Sequence, residues 1–165
     1  MQGIGKILAA AFLFFALVGS AFGQVVALGA SNTEGHGVSA SESYPAQLQA
    51  MLQARGSGLR VTNAGVYGDT TTGMLARLSS AVPEGTKVVI VQYGGNDFRR
   101  NTAPATRQAN IASIQDQLRK RGIRVVQADG LVRSAFAAGL VQSDRVHLTA
   151  EGYRRVASQL LASIR

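Results

Sequence analysis

Short apolar runs alternate with longer amphipathic stretches along most of this chain. The clearest run, residues 87–93, is almost continuously apolar, which is typical of a strand buried on both faces of a parallel sheet. Shorter runs at residues 25–29, 59–64 and 123–127 predict three further strands.

Four helices are predicted between and after these strands. The first opens at Ser43, a suitable amino-terminal cap, carries Pro45 in its first turn and ends at Gly56. Apolar side chains recur at helical spacing in all four stretches. The other three cover residues 70–78, about 103–121 and about 149–164.

Alternating strands and helices in one short chain predict the α/β class. We expect a single domain over residues 24–165, folded as a three-layer α/β/α sandwich around a flavodoxin-like parallel sheet. In such sheets the loops at the carboxyl ends of the strands build the functional site.

The first 23 residues have the pattern of a secretory signal rather than of the fold. Lys6 precedes an apolar run over residues 7–18, and small residues follow at 19–23. The run is shorter than the roughly 20 residues of a membrane span. This predicts a cleaved signal peptide and a periplasmic or secreted protein; the alternative is an uncleaved amino-terminal anchor.

Composition and charge narrow the classes of partner. The 165 residues are 46% hydrophobic and include no cysteine, which excludes disulfides, thiolate metal sites and a cysteine nucleophile. The net charge of +8 comes from scattered basic residues. In a protein with an export signal, this positive charge favours attraction to anionic membrane surfaces. We do not expect the protein to bind nucleic acid.

A serine and a histidine–aspartate pair are the candidate chemistry. Ser31 follows the first strand on a glycine-bearing turn, so it is a candidate nucleophile if a base takes its proton. Asp144 and His147 lie three residues apart before the last helix, which suits a base and its orienting acid. Each residue also has a possible structural role instead of a catalytic one. Ser31 could cap a helix, and Asp144 and His147 could be a surface pair. His36 is the competing base, but no acid is suitably placed to orient it.

Four blocks in order give a family resemblance. They are GASNTEG at residues 29–35, NAGVYGDTT at 63–71, GGND at 94–97 and DRVHLT at 144–149. Together they resemble the SGNH hydrolases, also called the GDSL lipase/esterase superfamily, and especially its small bacterial thioesterase/lysophospholipase-like members. The resemblance implies an acyl-enzyme on Ser31, a triad with Asp144 and His147, and an oxyanion hole from the backbone N–H of Ser31 and of Gly68 and the Asn96 amide. It implies no cofactor and no metal.

Two departures from the family pattern stand out. Ala30 replaces the aspartate that usually precedes the nucleophile, which bears on the rigidity of the loop. Only about 47 residues separate Asn96 from Asp144, so the sheet is expected to have four to five strands and the cleft to be shallow. Asp69 is interpreted as structural, closing the turn at Gly68 or capping the next helix.

The sequence therefore predicts a serine esterase that hydrolyses carboxylic esters, with small or solvent-exposed acyl groups favoured; thioesters and lysophospholipids are further substrate classes that it leaves open. Two alternatives remain: a flavodoxin-like phosphate- or nucleotide-binding module, and a non-catalytic carbohydrate- or envelope-binding relative. The second predicts that Ser31 and His147 are too far apart for a hydrogen bond, about 3 Å in a working pair, even after allowing for the looser geometry of a site without substrate.

Overall fold

A four-stranded parallel sheet forms the centre of the molecule. The computed structural model describes residues 24–164, so the predicted signal peptide lies outside the described residues. The strand order is β2-β1-β3-β4, and all neighbours are parallel. The strands are β1 (Gln24–Gly29), β2 (Arg60–Gly65), β3 (Thr86–Gln92) and β4 (Arg124–Gln127).

Helices cover both faces of the sheet within the described residues. The longer ones are α2 (Tyr44–Ala54), α3 (Thr71–Ala76), α6 (Pro104–Lys120), α7 (Asp129–Ala137) and α8 (Ala150–Leu161). Three helices have only four residues: α1 (Ser31–Glu34), α4 (Leu78–Ala81) and α5 (Asn96–Arg99). A 3₁₀ turn, Ala40–Glu42, precedes α2. None of these helices combines the length and the apolar character that crossing a membrane requires.

The core is divided in two by the sheet because successive strand residues point to opposite faces. Val25 and Ala27 of β1 pack with α2, α7 and α8, whereas Val26 and Leu28 pack with α3, α4 and α6. All four side chains are fully buried. Burial on both faces explains why the central strands are continuously apolar in sequence.

The register brings three strand ends to one edge. Gly29, the last residue of β1, pairs with Gly65 of β2 and Gln92 of β3. The loops that follow these strands therefore start side by side, and they carry the first three sequence blocks. α8, which follows the fourth block, packs against α2 on one face of the sheet.

The predicted α/β sandwich with its parallel sheet is confirmed, with four strands. One helix differs: the stretch predicted at 70–78 ends at Ala76, and α4 begins at Leu78 after a break at Arg77. A further helix, α7, was not among the four predicted; it covers most of an apolar stretch at residues 132–140, and its Val132 and Ala135 are buried against the sheet.

Candidate active site

Ser31 is the first residue of α1, directly after β1. It is only 8% exposed, and its carbonyl accepts hydrogen bonds from the N–H groups of Gly35 and His36, both at 3.0 Å. Gly35 closes the short helix in the left-handed conformation, with φ of 93°. The turn is therefore held by its own backbone, although Ala30 replaces the aspartate of the family pattern.

Close approach of α1 to β2 positions this turn. Val66 N–H donates to Gly29 O at 3.0 Å, which continues the sheet pairing by one residue. A Cβ on Gly65 would overlap the backbone nitrogen of Glu34. Glycine is thus required at 65 for α1 to lie against the strand end.

Gly68 and Asn96 are held beside each other across two loops. Gly68 has φ of 70°, in the region that favours glycine, within a turn where Asp69 N–H donates to Val66 O at 3.2 Å. Asn96, at the start of α5, donates one amide hydrogen to Asp69 O at 2.8 Å. The same NH₂ group has a second hydrogen that can be offered to a ligand.

Asp69 braces the loop rather than facing the cavity at Ser31. Its carboxylate binds Arg77 Nε at 2.8 Å, and Arg77 also donates to Gly29 O at 3.1 Å. Thr70 caps α3 by accepting from Gly73 N–H. These contacts agree with the structural role expected for Asp69 and tie the Gly68 turn to the end of β1.

Asp144 and His147 form a close pair. Asp144 Oδ2 lies 2.5 Å from His147 Nδ1, and Asp144 Oδ1 accepts from the backbone N–H of Val146 and of His147. The Val146 N–H bond, followed by the two bonds to His147, lowers the pKa of Asp144 to about 2. Asp144 is therefore a carboxylate at neutral pH and holds the ring with Nε2 directed away from it.

Asn32 joins this segment to the turn that carries Ser31. Its Nδ2 donates to Val146 O at 3.0 Å, and its Oδ1 accepts from Leu148 N–H at 3.1 Å and from the Tyr153 hydroxyl at 3.2 Å. The residue after Ser31 thus holds both neighbours of His147. The sequence alone did not reveal this contact.

One cavity of about 220 Å³ brings the candidate residues together. Ser31, Gly68, Asn96 and His147 all line it, whereas Asp144 lies behind the histidine ring. Tyr67 forms part of the wall, with its ring centroid 6.2 Å from that of His147. Within residues 24–164, no hydrogen bond joins Ser31 Oγ to the His147 ring. Catalytic hydrogen bonds often tighten only in the substrate complex.

His36, the competing base, packs against the rings of both His147 and Tyr67. Its ring centroid is 4.5 Å from that of His147 and 4.6 Å from that of Tyr67. It is exposed, and no carboxylate of the described residues hydrogen-bonds its ring. Its position therefore suits a stacking neighbour of His147.

Two further carboxylates shape the loop after β3: Asp97, the last residue of the third sequence block, and Asp129, which the sequence analysis did not single out. Asp129 accepts from the N–H groups of Tyr93 and Gly94, both at 3.0 Å. Asp97 is fully buried and accepts from the N–H and the hydroxyl of Thr71. Asp129 follows β4 at the carboxyl edge, which is the one sequence signal that pointed to it.

The fold is of the α/β class. Loops that follow several parallel strands surround Ser31 at the carboxyl edge of the sheet. The model of the GDSL-like lipase/acylhydrolase family matches residues 27–159. The chain therefore belongs to the GDSL-like lipase/acylhydrolase family, and the resemblance in its sequence is confirmed.

Named relatives agree with this assignment. The chain is 37% identical to an esterase, TesA, of Pseudomonas aeruginosa over 103 residues, which are 62% of this chain and 51% of that protein. It is 30% identical to an arylesterase of Vibrio mimicus over 117 residues, 69% of this chain and 58% of that protein. It thus spans little more than half the length of these relatives.

A crystal structure of TesA has the same fold. It superposes with a TM-score of 0.77 at 24% identity, covering 86% of this chain and 98% of that one. At this identity the likeness concerns the fold alone.

Proposed function

We propose that this protein is a serine esterase that hydrolyses carboxylic esters or thioesters through an acyl-enzyme on Ser31. The observation that carries the proposal is the shared cavity. Ser31, Gly68, Asn96 and His147 line it, and the ring of His147 is hydrogen-bonded to an ionised Asp144. Membership of the lipase/acylhydrolase family supports the same reaction class.

Acylation begins when Ser31 Oγ attacks the substrate carbonyl carbon and passes its proton to His147 Nε2. Asp144 holds the opposite ring nitrogen and stabilises the imidazolium. The carbonyl oxygen becomes an oxyanion that accepts hydrogen bonds from the N–H of Ser31, the N–H of Gly68 and the amide of Asn96. Removal of one such donor typically costs about 2.7–4 kcal/mol of transition-state stabilisation.

The tetrahedral intermediate then collapses. The bond from the carbonyl carbon to the leaving oxygen or sulfur breaks, and His147 returns the proton to that atom. Deacylation repeats the sequence with water, whose proton goes to His147 while its oxygen attacks the acyl carbon. The carboxylic acid leaves and Ser31 regains its proton.

Ser31→Ala tests the proposal. We expect wild type to hydrolyse 4-nitrophenyl butyrate and the variant to lose at least about 10³-fold in kcat, as removal of a catalytic serine does in triad enzymes. The variant should unfold at the wild-type midpoint. Ser79→Ala is the matched control, because Ser79 is an exposed residue of α4. Hydrolysis that survives Ser31→Ala would refute the mechanism.

A fluorophosphonate probe separates the proposal from both alternatives. Covalent labelling of Ser31 requires an activated hydroxyl, which neither a phosphate-binding turn nor a non-catalytic relative supplies. His147→Ala should abolish the label and His36→Gln should retain it. A protein left unlabelled at Ser31 would favour a binding function.

The periplasmic or secreted location belongs to the proposal and rests on residues 1–23 of the sequence. Amino-terminal sequencing of the protein from the periplasm tests it. A terminus near residue 22 or 24 agrees with cleavage, and an intact Met1 in the membrane fraction indicates an anchor.

A further inference from the structure

Arginines border the space beside Ser31. A second cavity, of about 310 Å³, adjoins the first and shares Ser31, Asn96 and Arg99 with it. Arg133 of α7 and Arg145 also line this second cavity. We call it the arginine cavity.

These three guanidinium groups make no ion pair with any carboxylate in residues 24–164, and their side chains donate no hydrogen bond there. Other arginines do pair: Arg77 with Asp69, and Arg154 with Glu151. Asp129 reaches the wall of the arginine cavity, but both its oxygens accept from backbone N–H groups. Three cations thus face one carboxylate, and unpaired guanidinium groups are the usual partners of carboxylate and phosphate.

The position of His147 indicates which part of a substrate enters this cavity. His147 must lie beside the leaving atom to return its proton, and it lines the smaller cavity, with Tyr67, but not the arginine cavity. The leaving group therefore lies toward Tyr67. The acyl part extends from the Ser31–Asn96 side into the arginine cavity.

The wall of the arginine cavity fits an acyl chain that ends in a charge. Val132 is buried there, and Phe136 and Val146 are partly exposed to the cavity. An apolar chain can lie against these side chains while an anion at its end meets Arg133. Because Arg99, Arg133 and Arg145 are all exposed to solvent, a neutral chain would leave them hydrated and would gain no attraction from them.

We propose that the arginine cavity selects esters and thioesters whose acyl part carries a negative charge, such as half-esters of dicarboxylic acids. This rests on the proposed esterase function, because Ser31 must carry out the reaction. The anion acts only in binding and orientation. The bonds made and broken are those of ordinary ester hydrolysis.

Matched substrate pairs test the charge preference. Mono-4-nitrophenyl adipate and suberate carry a terminal carboxylate at two distances, and their methyl esters are the neutral counterparts. We expect kcat/KM about tenfold higher for the anionic member of at least one pair, the size of one hydrogen bond to a charged group. The preference should weaken with added salt.

Variants assign the preference to the cavity. Arg133→Gln should lower the ratio of kcat/KM for the anionic ester to kcat/KM for its methyl ester nearly to one, and Arg133→Lys should restore part of that ratio. Arg60→Gln is the control, because Arg60 is exposed at the amino end of β2, opposite the site. A preference unchanged in Arg133→Gln would overturn the assignment.

Two results separate failure of this inference from failure of the esterase proposal. Equal rates within both pairs, with activity that depends on Ser31, would overturn the charge preference and leave the esterase. No Ser31-dependent hydrolysis of any ester would overturn both. A preference for 4-acetoxybenzoate over its methyl ester, without one in the acyl pairs, would overturn the assignment to the acyl side.

Discussion

At the scale of single residues, the candidate site depends on contacts that place its groups rather than on the groups alone. Asn32 is the clearest case, since one side chain binds the residues on both sides of His147 and the Tyr153 hydroxyl. Asp144 is another, because it organises its own turn through two backbone N–H groups as well as the ring.

Asn32→Ala should separate placement from folding. It leaves the buried Leu148 N–H and Tyr153 hydroxyl without their acceptor, at a cost of about 1–3 kcal/mol in the free energy of unfolding. We expect kcat for 4-nitrophenyl butyrate to fall about tenfold or more, since small misplacements of reacting groups are costly, with KM little changed.

Asn32→Asp is the control for this prediction. It keeps the acceptor for Leu148 and Tyr153 and loses the donor to Val146 O, so kcat should lie between those of wild type and Asn32→Ala. A loss of stability in Asn32→Ala with unchanged kcat would show that the contact serves only the fold.

Asp144 should also make the free energy of unfolding depend on pH in the acid range. Its native pKa of about 2 lies below the ordinary value of 3.8, so the ionised form favours the folded state. This contribution is complete above about pH 5 and is lost as the pH falls toward 2. Asn at this position cannot titrate.

Urea denaturation of wild type and Asp144→Asn between pH 2 and pH 7 measures the effect. The difference in the free energy of unfolding should be constant above about pH 5 and shrink toward pH 2. A difference that stays constant down to pH 2 would contradict the lowered pKa of Asp144.

At the scale of elements, the site depends on how closely α1 lies against the end of β2. The four-residue helix buries Ser31 and Thr33 with little length of its own to stabilise it. Its place is secured by the bond from Val66 N–H to Gly29 O and by the absence of a side chain at Gly65.

Gly65→Ala should therefore shift α1 and destabilise the protein. The new Cβ would overlap the backbone at Glu34, which has no flexible end to move aside, and overpacking of this kind costs about 1–3 kcal/mol. Esterase activity should fall with stability because Ser31 moves with α1. Chemical denaturation and 4-nitrophenyl butyrate hydrolysis measure the two effects.

Gly130→Ala is the matched control. A Cβ there would meet only Arg133 Nη2, at 3.9 Å, and the residue lies in α7. We expect unchanged or slightly higher stability, by up to about 1 kcal/mol. Equal stability of the two variants would show that α1 tolerates a displacement from β2.

At the scale of the whole molecule, the sheet and its loops were predictable, and the gathering of distant side chains was not. Residues 87–93 predict a buried strand because side chains on both of its faces are apolar. The parallel order of the strands then places the loops that follow them at the carboxyl edge of the sheet. The four-residue helices α1 and α5 carry too few residues for a helical period to show.

The arginine cavity shows why the rest escaped prediction. Arg99, Arg133 and Arg145 lie on separate segments between residues 99 and 145 of the sequence, and only the folded chain brings them around one cavity. The same holds for Asn32, whose partners lie more than a hundred residues away. The spacing of residues in the sequence can indicate which side chains meet within one loop. Which loops lie side by side is decided by the tertiary structure.

The hydrogen bonds from Asn32 to Val146 and Leu148 also bear on the order of events during folding. Ser31 lies near the start of residues 24–164 and His147 near their end, so the four strands can pair before the segment with His147 joins the turn that carries Ser31. We expect the refolding chain to show no esterase activity until α8 has packed against α2. Recovered hydrolysis during refolding would then report the closing step, later than signals that follow the strands.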